Sequence, residues 1–93
     1  MTYRFDGREL KDQNFRTVAR VDGVNIQDDS YRVVGRVEGN KIIDAQYNNV
    51  ATVDGDRIID NQFRQIATLG DVHRVIDGPG GATLVALWYF FVR

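Results

Sequence analysis

Cysteine is absent from the chain, which excludes disulfides, thiolate catalysis and thiolate-bound zinc. No sign of charge dominates. The net charge is −1 and basic and acidic residues are interspersed, so neither a basic stripe for a nucleic-acid backbone nor an acidic tail is present. Histidine occurs once, as His73 in "GDVHRV", without the serine or cysteine partner motif that nucleophilic catalysis needs. The most apolar run, "TLVALWYFFV" from Thr83 to Val92, falls well short of the roughly 20 residues of a membrane-spanning helix. The N-terminal "MTYRFDGREL" has charges at Arg4, Asp6, Arg8 and Glu9 and lacks the apolar centre of a signal peptide, so the expected location is the cytoplasm. These absences lead to an expectation of no catalytic, cofactor-binding or metal-ligating residues, no nucleic-acid partner and no membrane span.

What the chain has in abundance is repetition. Nine glycines stand against one proline, a composition of many tight turns, and internal repeats are read first because they decide architecture. Five units can be aligned: Thr2–Asp12, Val18–Asp28, Val34–Asp44, Val50–Asp60 and Ile66–Asp77. The first four start sixteen residues apart, and the fifth carries one extra residue in its turn. Asp6-Gly7, Asp22-Gly23, Glu38-Gly39 and Asp54-Gly55 each separate two β-rich runs, which predicts type I′ hairpin turns with glycine at positive φ. No segment holds a 3.6-residue period between glycines, so helix is not expected. With Glu38-Gly39 as the turn, Val37 faces Asn40, Arg36 faces Lys41 and Gly35 faces Ile42. Small residues at Ala19, Gly35, Ala51 and Ala67 then lie opposite Ile26, Ile42, Ile58 and Val75 on a core face.

A second phrase joins the hairpins: "DQNFRT", "DDSYRV", "DAQYNN" and "DNQFRQ". The aspartates Asp12, Asp28, Asp44 and Asp60 are expected to close Asx-type turns by accepting backbone N–H groups just ahead. Three residues on stand Phe15, Tyr31, Tyr47 and Phe63, expected to supply buried area that so short a repeat lacks. These columns admit other readings. With Asp77, the aspartates form a column of five that could hold a cation, but close carboxylates repel one another without one. Arg4, Arg20 and Arg36 could hold an anion, yet the column becomes Thr52 and Thr68 in later units, which favours solvated surface. The aromatics could instead form a platform for a glycan or other small molecule. "GPGG" at 78–81 lacks the Lys-Ser/Thr ending of a phosphate loop and reads as a reversal.

A hairpin with four-residue arms is marginal alone, so the units must stack. "DDSYRVVGRVEGNKIID" and the tail "ALWYFFV" resemble the repeat and terminal strand of the small bacterial five-fold β-flower proteins. Alanine in place of glycine at 19, 51 and 67 and the irregular fifth turn depart from that pattern. The resemblance implies a fold and no chemistry. The expectation is an all-β single domain over residues 1–93, with five hairpins in pseudo-five-fold array and an apolar C-terminal strand over 83–92. Such a strand has apolar residues on both faces and little to cover the second. That predicts a homo-oligomer whose interface draws on Leu87, Trp88, Tyr89, Phe90 and Phe91. The expected function is a non-enzymatic structural or protein-interaction module; a glycan or small-molecule binder is the alternative.

Overall fold

The computed structural model describes residues 2–93 and is predominantly β. Strands β1 (Tyr3–Phe5), β2 (Glu9–Lys11), β3 (Thr17–Asp22), β4 (Asn25–Asp28), β5 (Val33–Glu38), β6 (Lys41–Asp44), β7 (Asn49–Asp54), β8 (Arg57–Asp60) and β9 (Gln65–Thr68) form an antiparallel meander. Helix α1 (Leu69–Val75) follows, then β10 (Ile76–Asp77), which pairs in parallel with β1 to complete one ten-stranded sheet. Helix α2 (Ala82–Leu87) runs on into a π-helical turn, Trp88–Val92.

The hairpin turns sit one residue later than the Asp-Gly reading places them. Glu38 pairs with Lys41, Val37 with Ile42 and Arg36 with Ile43, so the two-residue loop is Gly39-Asn40. Gly23, Gly39 and Gly55 have φ of 62°, 62° and 61°, whereas Val24, Asn40 and Asp56 are not at positive φ. Positive φ at the first loop position alone is the type II′ pattern, not type I′. The shift also separates Arg36 from Lys41.

The Asx-type connections carry a second irregularity. Register slips between Leu10 and Lys11, Ile26 and Gln27, Ile42 and Ile43, and Ile58 and Ile59. Each slip bypasses one residue of the following strand: Val18, Val34, Val50 and Ile66, all half-buried against the core. An extra residue on one strand bends it and increases its twist, so four like slips curl the sheet four times in the same sense. They also set the core pairs. Ala19 lies opposite Leu10, Gly35 opposite Ile26, Ala51 opposite Ile42 and Ala67 opposite Ile58. Each small residue therefore meets the large residue of the preceding repeat rather than of its own hairpin.

The fifth unit is not a hairpin. Thr68 caps α1: its Oγ1 accepts the Asp71 N–H at 3.2 Å while Asp71 Oδ2 accepts the Thr68 N–H at 3.0 Å. This reciprocal capping box satisfies two donors that a helix start otherwise leaves free. Val75 consequently belongs to a helix and pairs with no alanine.

The C-terminal segment is helix, not strand. Its early residues Ala82, Leu84, Ala86 and Leu87 are strong helix formers. A strand needs a neighbour for its N–H and C=O groups, whereas a helix satisfies them internally and can be buried with no sheet edge to pair with. Leu84, Val85, Ala86 and Leu87 are all 1% exposed or less. Four consecutive helical residues point in every direction around the axis, so α2 is enclosed on all sides. It shares one core cluster with Phe5, Leu10, Ile26, Ile42, Ile58 and Ile76, drawn from strands across the sheet. At Gly35 an added methyl would lie 2.5 Å from Phe90 Cζ and 2.6 Å from the Ile43 carbonyl oxygen. Glycine there admits the Phe90 ring.

Candidate functional site

The meander puts the glycine turns at one end of the strands and the aspartate turns at the other. At the aspartate end Asp12 Oδ1 accepts the N–H groups of Asn14 and Arg16 at 2.8 and 3.0 Å. The other three turns repeat this geometry: Asp28 with Ser30 and Arg32, Asp44 with Gln46 and Asn48, and Asp60 with Gln62 and Arg64, all between 2.8 and 3.0 Å. The backbone N–H donated by Arg32 holds the Asp28 carboxyl below its ordinary value, and that of Arg64 does the same for Asp60. One acceptor oxygen bridging two donors forces a tight reversal, and the residue that completes the reversal must adopt positive φ. That residue is the aromatic.

Phe15, Tyr31, Tyr47 and Phe63 have φ of 64°, 66°, 67° and 63°. They are the only non-glycine residues at positive φ among the described residues. Bulky side chains avoid this region, and each such residue carries strain on the order of 1–3 kcal/mol. The rings are not buried as expected: Phe15 is 78% exposed, Tyr31 65%, Tyr47 74% and Phe63 92%. Core packing therefore does not account for them. Two strand spacings separate successive turns, so the rings recur roughly every 10 Å along the rim.

Each ring borders a shallow groove on the outer surface, shared with the residue eleven positions earlier: Arg4 with Phe15, Arg20 with Tyr31, Arg36 with Tyr47 and Thr52 with Phe63. The guanidinium of Arg20 stands 4.2 Å from the Tyr31 ring centre and that of Arg36 5.3 Å from Tyr47, cation–π contacts that cover those faces. The arginines have acidic neighbours as well, Arg20 with Glu9 at 3.4 Å, Arg36 with Glu38 at 3.8 Å and Arg4 with Asp77 at 3.9 Å. Asp77 thus lies in an ion pair on β10 and not in an Asx turn. The five aspartates do not converge on an ion: among the described residues no three His, Cys, Asp or Glu side chains group as metal ligands.

Of the remaining sequence candidates, Gly7 has φ 104° in the first turn, where Asp6 Oδ1 accepts the N–H groups of Arg8 and Glu9 at 2.9 and 2.8 Å. His73 is exposed on α1. Within the C-terminal segment Leu87 is fully buried, whereas Trp88, Tyr89, Phe90 and Phe91 are half-buried. Tyr89 meets Phe90 edge-on at 5.3 Å and carries the Arg93 guanidinium 3.9 Å from its ring centre. Of the alternating sets expected of a strand, Trp88 with Phe90 and Tyr89 with Leu87 and Phe91 lose their common face on a helix, and only Leu87 and Phe91, four residues apart, keep one. No helix is long and apolar enough to cross a membrane among the described residues. No protein-family model, curated protein or solved structure matches the chain.

Proposed function

We propose that this protein is a non-enzymatic interaction module that self-associates through its C-terminal aromatic turn. The observation that carries this is the contrast along one helix. Leu84–Leu87 are enclosed, yet the next five residues, Trp88 to Val92, are all apolar and none is fully buried. Five successive helical side chains point around the whole axis, and all five pack against the core while each keeps part of its surface open. Phe90 is seated on Gly35 and Tyr89 lies under Arg93. Trp88 and Phe91 pack partly on the core and keep part of their surface open; a second copy would cover that open part, and an isologous contact buries the same two rings on both subunits.

In this reading the repeats close into a pseudo-five-fold ring of the β-flower type around α2. The two ends of the sheet, β9 and β10, are joined by α1 alone, a span of roughly 10 Å. Enclosure of α2 on every side supports the same closure.

Sedimentation velocity tests the association. The native chain is expected to sediment as a species larger than its 10.6 kDa monomer, and Trp88→Lys and Phe91→Lys to return it to monomer with an unchanged β spectrum. Leu87→Lys serves as the contrast and should unfold the chain, since its side chain is fully buried. A native chain that stays monomeric at every concentration overturns the proposal.

A further inference from the structure

The four aromatic grooves are built on one plan, and the fourth departs from it. Two tyrosines lie under guanidinium groups, and the Phe15 groove is bounded by the Arg4–Asp77 pair. At the equivalent position the fourth groove has Thr52, and no cation lies over Phe63 among the described residues. Its ring is the most exposed large apolar side chain described, at 92%.

We propose that the groove formed by Phe63, Thr52, Asn40, Asn49 and Asn61 binds a neutral saccharide ring. The groove has a volume of about 500 Å³, within the range of small-ligand sites. An aromatic face is electronegative at its centre, so it attracts the weakly positive C–H face of a sugar once no guanidinium occupies that position. Sugar hydroxyls both donate and accept. Carboxamides and a hydroxyl offer both functions, and the groove's other polar groups are partly engaged already. Asn40 Nδ2 donates to the Val53 carbonyl at 3.0 Å, leaving its oxygen available, and Asn49 Nδ2 reaches Thr52 Oγ1 at 3.5 Å.

Charge selects against other ligands. Asp54 and Asp60 also line the groove, and each is matched by its own arginine: Arg57 at 3.1 Å and Arg64 at 3.5 Å. The site is therefore near neutrality and offers a cation no uncompensated charge. Single-stranded nucleic acid pairs stacked bases with a positive groove, and replacement of the column arginine by Thr52 removes that feature here. The proposal uses none of the residues assigned to self-association, so either can fail alone.

The test is a ¹H–¹⁵N NMR titration of the full chain with methyl glycosides of glucose, galactose, mannose and N-acetylglucosamine, beside choline chloride and adenosine monophosphate. At least one glycoside is expected to give saturable shifts centred on Thr52, Asn61 and Phe63. Phe63→Gly should weaken that binding by about tenfold or more, the scale of a lost stacking face. Thr52→Arg, which installs the side chain of the sister repeats, should do the same in a chain whose amide spectrum otherwise persists. Saturation by no glycoside, tighter binding of choline or the nucleotide, or glycoside binding indifferent to both substitutions would each overturn the proposal.

Discussion

Replacing Phe63 with glycine should leave the protein as stable or make it more so, an outcome opposite to that for an aromatic in a core. Holding an L-residue in the left-handed region costs about 1–2 kcal/mol, and φ at Phe63 is 63°. Glycine removes that cost. Against it stand two losses. With 92% of the residue exposed, only some tens of Å² of apolar surface at most are forfeited, a few tenths of a kcal/mol at about 25 cal/mol per Å². Glycine also loses more backbone freedom on folding, at roughly 0.5–1 kcal/mol relative to alanine. The balance is neutral to about 1 kcal/mol in favour of the variant. Phe63→Ala keeps the strain and loses the ring, so it should be the least stable of the three. Urea denaturation of all three chains reads the order directly. Tyr47→Gly should gain less, because the Arg36 contact over the ring adds about 0.5–1 kcal/mol at an exposed site. Destabilisation of more than about 1 kcal/mol by Phe63→Gly would mean that the exposed ring supports the fold after all.

Gly35→Ala should destabilise by about 1–3 kcal/mol, the usual cost of overpacking, because the new methyl meets Phe90 and the Ile43 carbonyl; Phe90→Ala in the same background should recover part of the loss in a denaturation cycle. Asp44→Leu should cost about 1–2 kcal/mol and Asp44→Asn much less, since Asn keeps an acceptor for the Gln46 and Asn48 N–H groups; equal losses in thermal melts would mean that charge, not the acceptor, matters. Folding lowers the Asp28 and Asp60 carboxyls below their reference value of 3.8, so the unfolded chain binds protons first as acid is added. Their contribution is complete above the unfolded value and disappears as pH falls through the lowered folded values. Urea midpoints should decline below about pH 4–5, and the Asp28→Asn, Asp60→Asn double variant should flatten that decline; an unchanged acid slope would refute the assignment.

The repeat period and the strands were legible in the sequence because sixteen-residue self-similarity is independent of local detail. The aspartate turns could be read from one residue type with one strong preference. Register could not be read so well. Asp22-Gly23, Glu38-Gly39 and Asp54-Gly55 fit a type I′ turn, and only cross-strand pairing reveals that glycine opens the loop instead. The slips at Val18, Val34, Val50 and Ile66 leave no local mark, since a bulged valine and a paired one are spelled alike. The aromatics misled because large apolar side chains are usually buried, whereas here the Asx geometry dictates positive φ and outward placement. Helix α1 did carry a signal in Thr68-Leu69-Gly70-Asp71, the Thr-x-x-Asp form of a capping box. The C-terminal run had no period to read, because a segment enclosed on all sides is apolar at every position. Its alanines and leucines were the surviving hint.

Trp88 is the only tryptophan and lies at the start of the half-buried turn, so its fluorescence reports on self-association without a label. Emission and acrylamide quenching should be followed while the native chain is diluted across its association range, with Phe91→Lys measured alongside. Self-association predicts a blue-shifted, protected Trp88 at high concentration that becomes red-shifted and quenchable on dilution, and a Phe91→Lys chain that resembles the dilute state throughout. Emission and quenching that do not change with concentration in the native chain would contradict an interface at this turn.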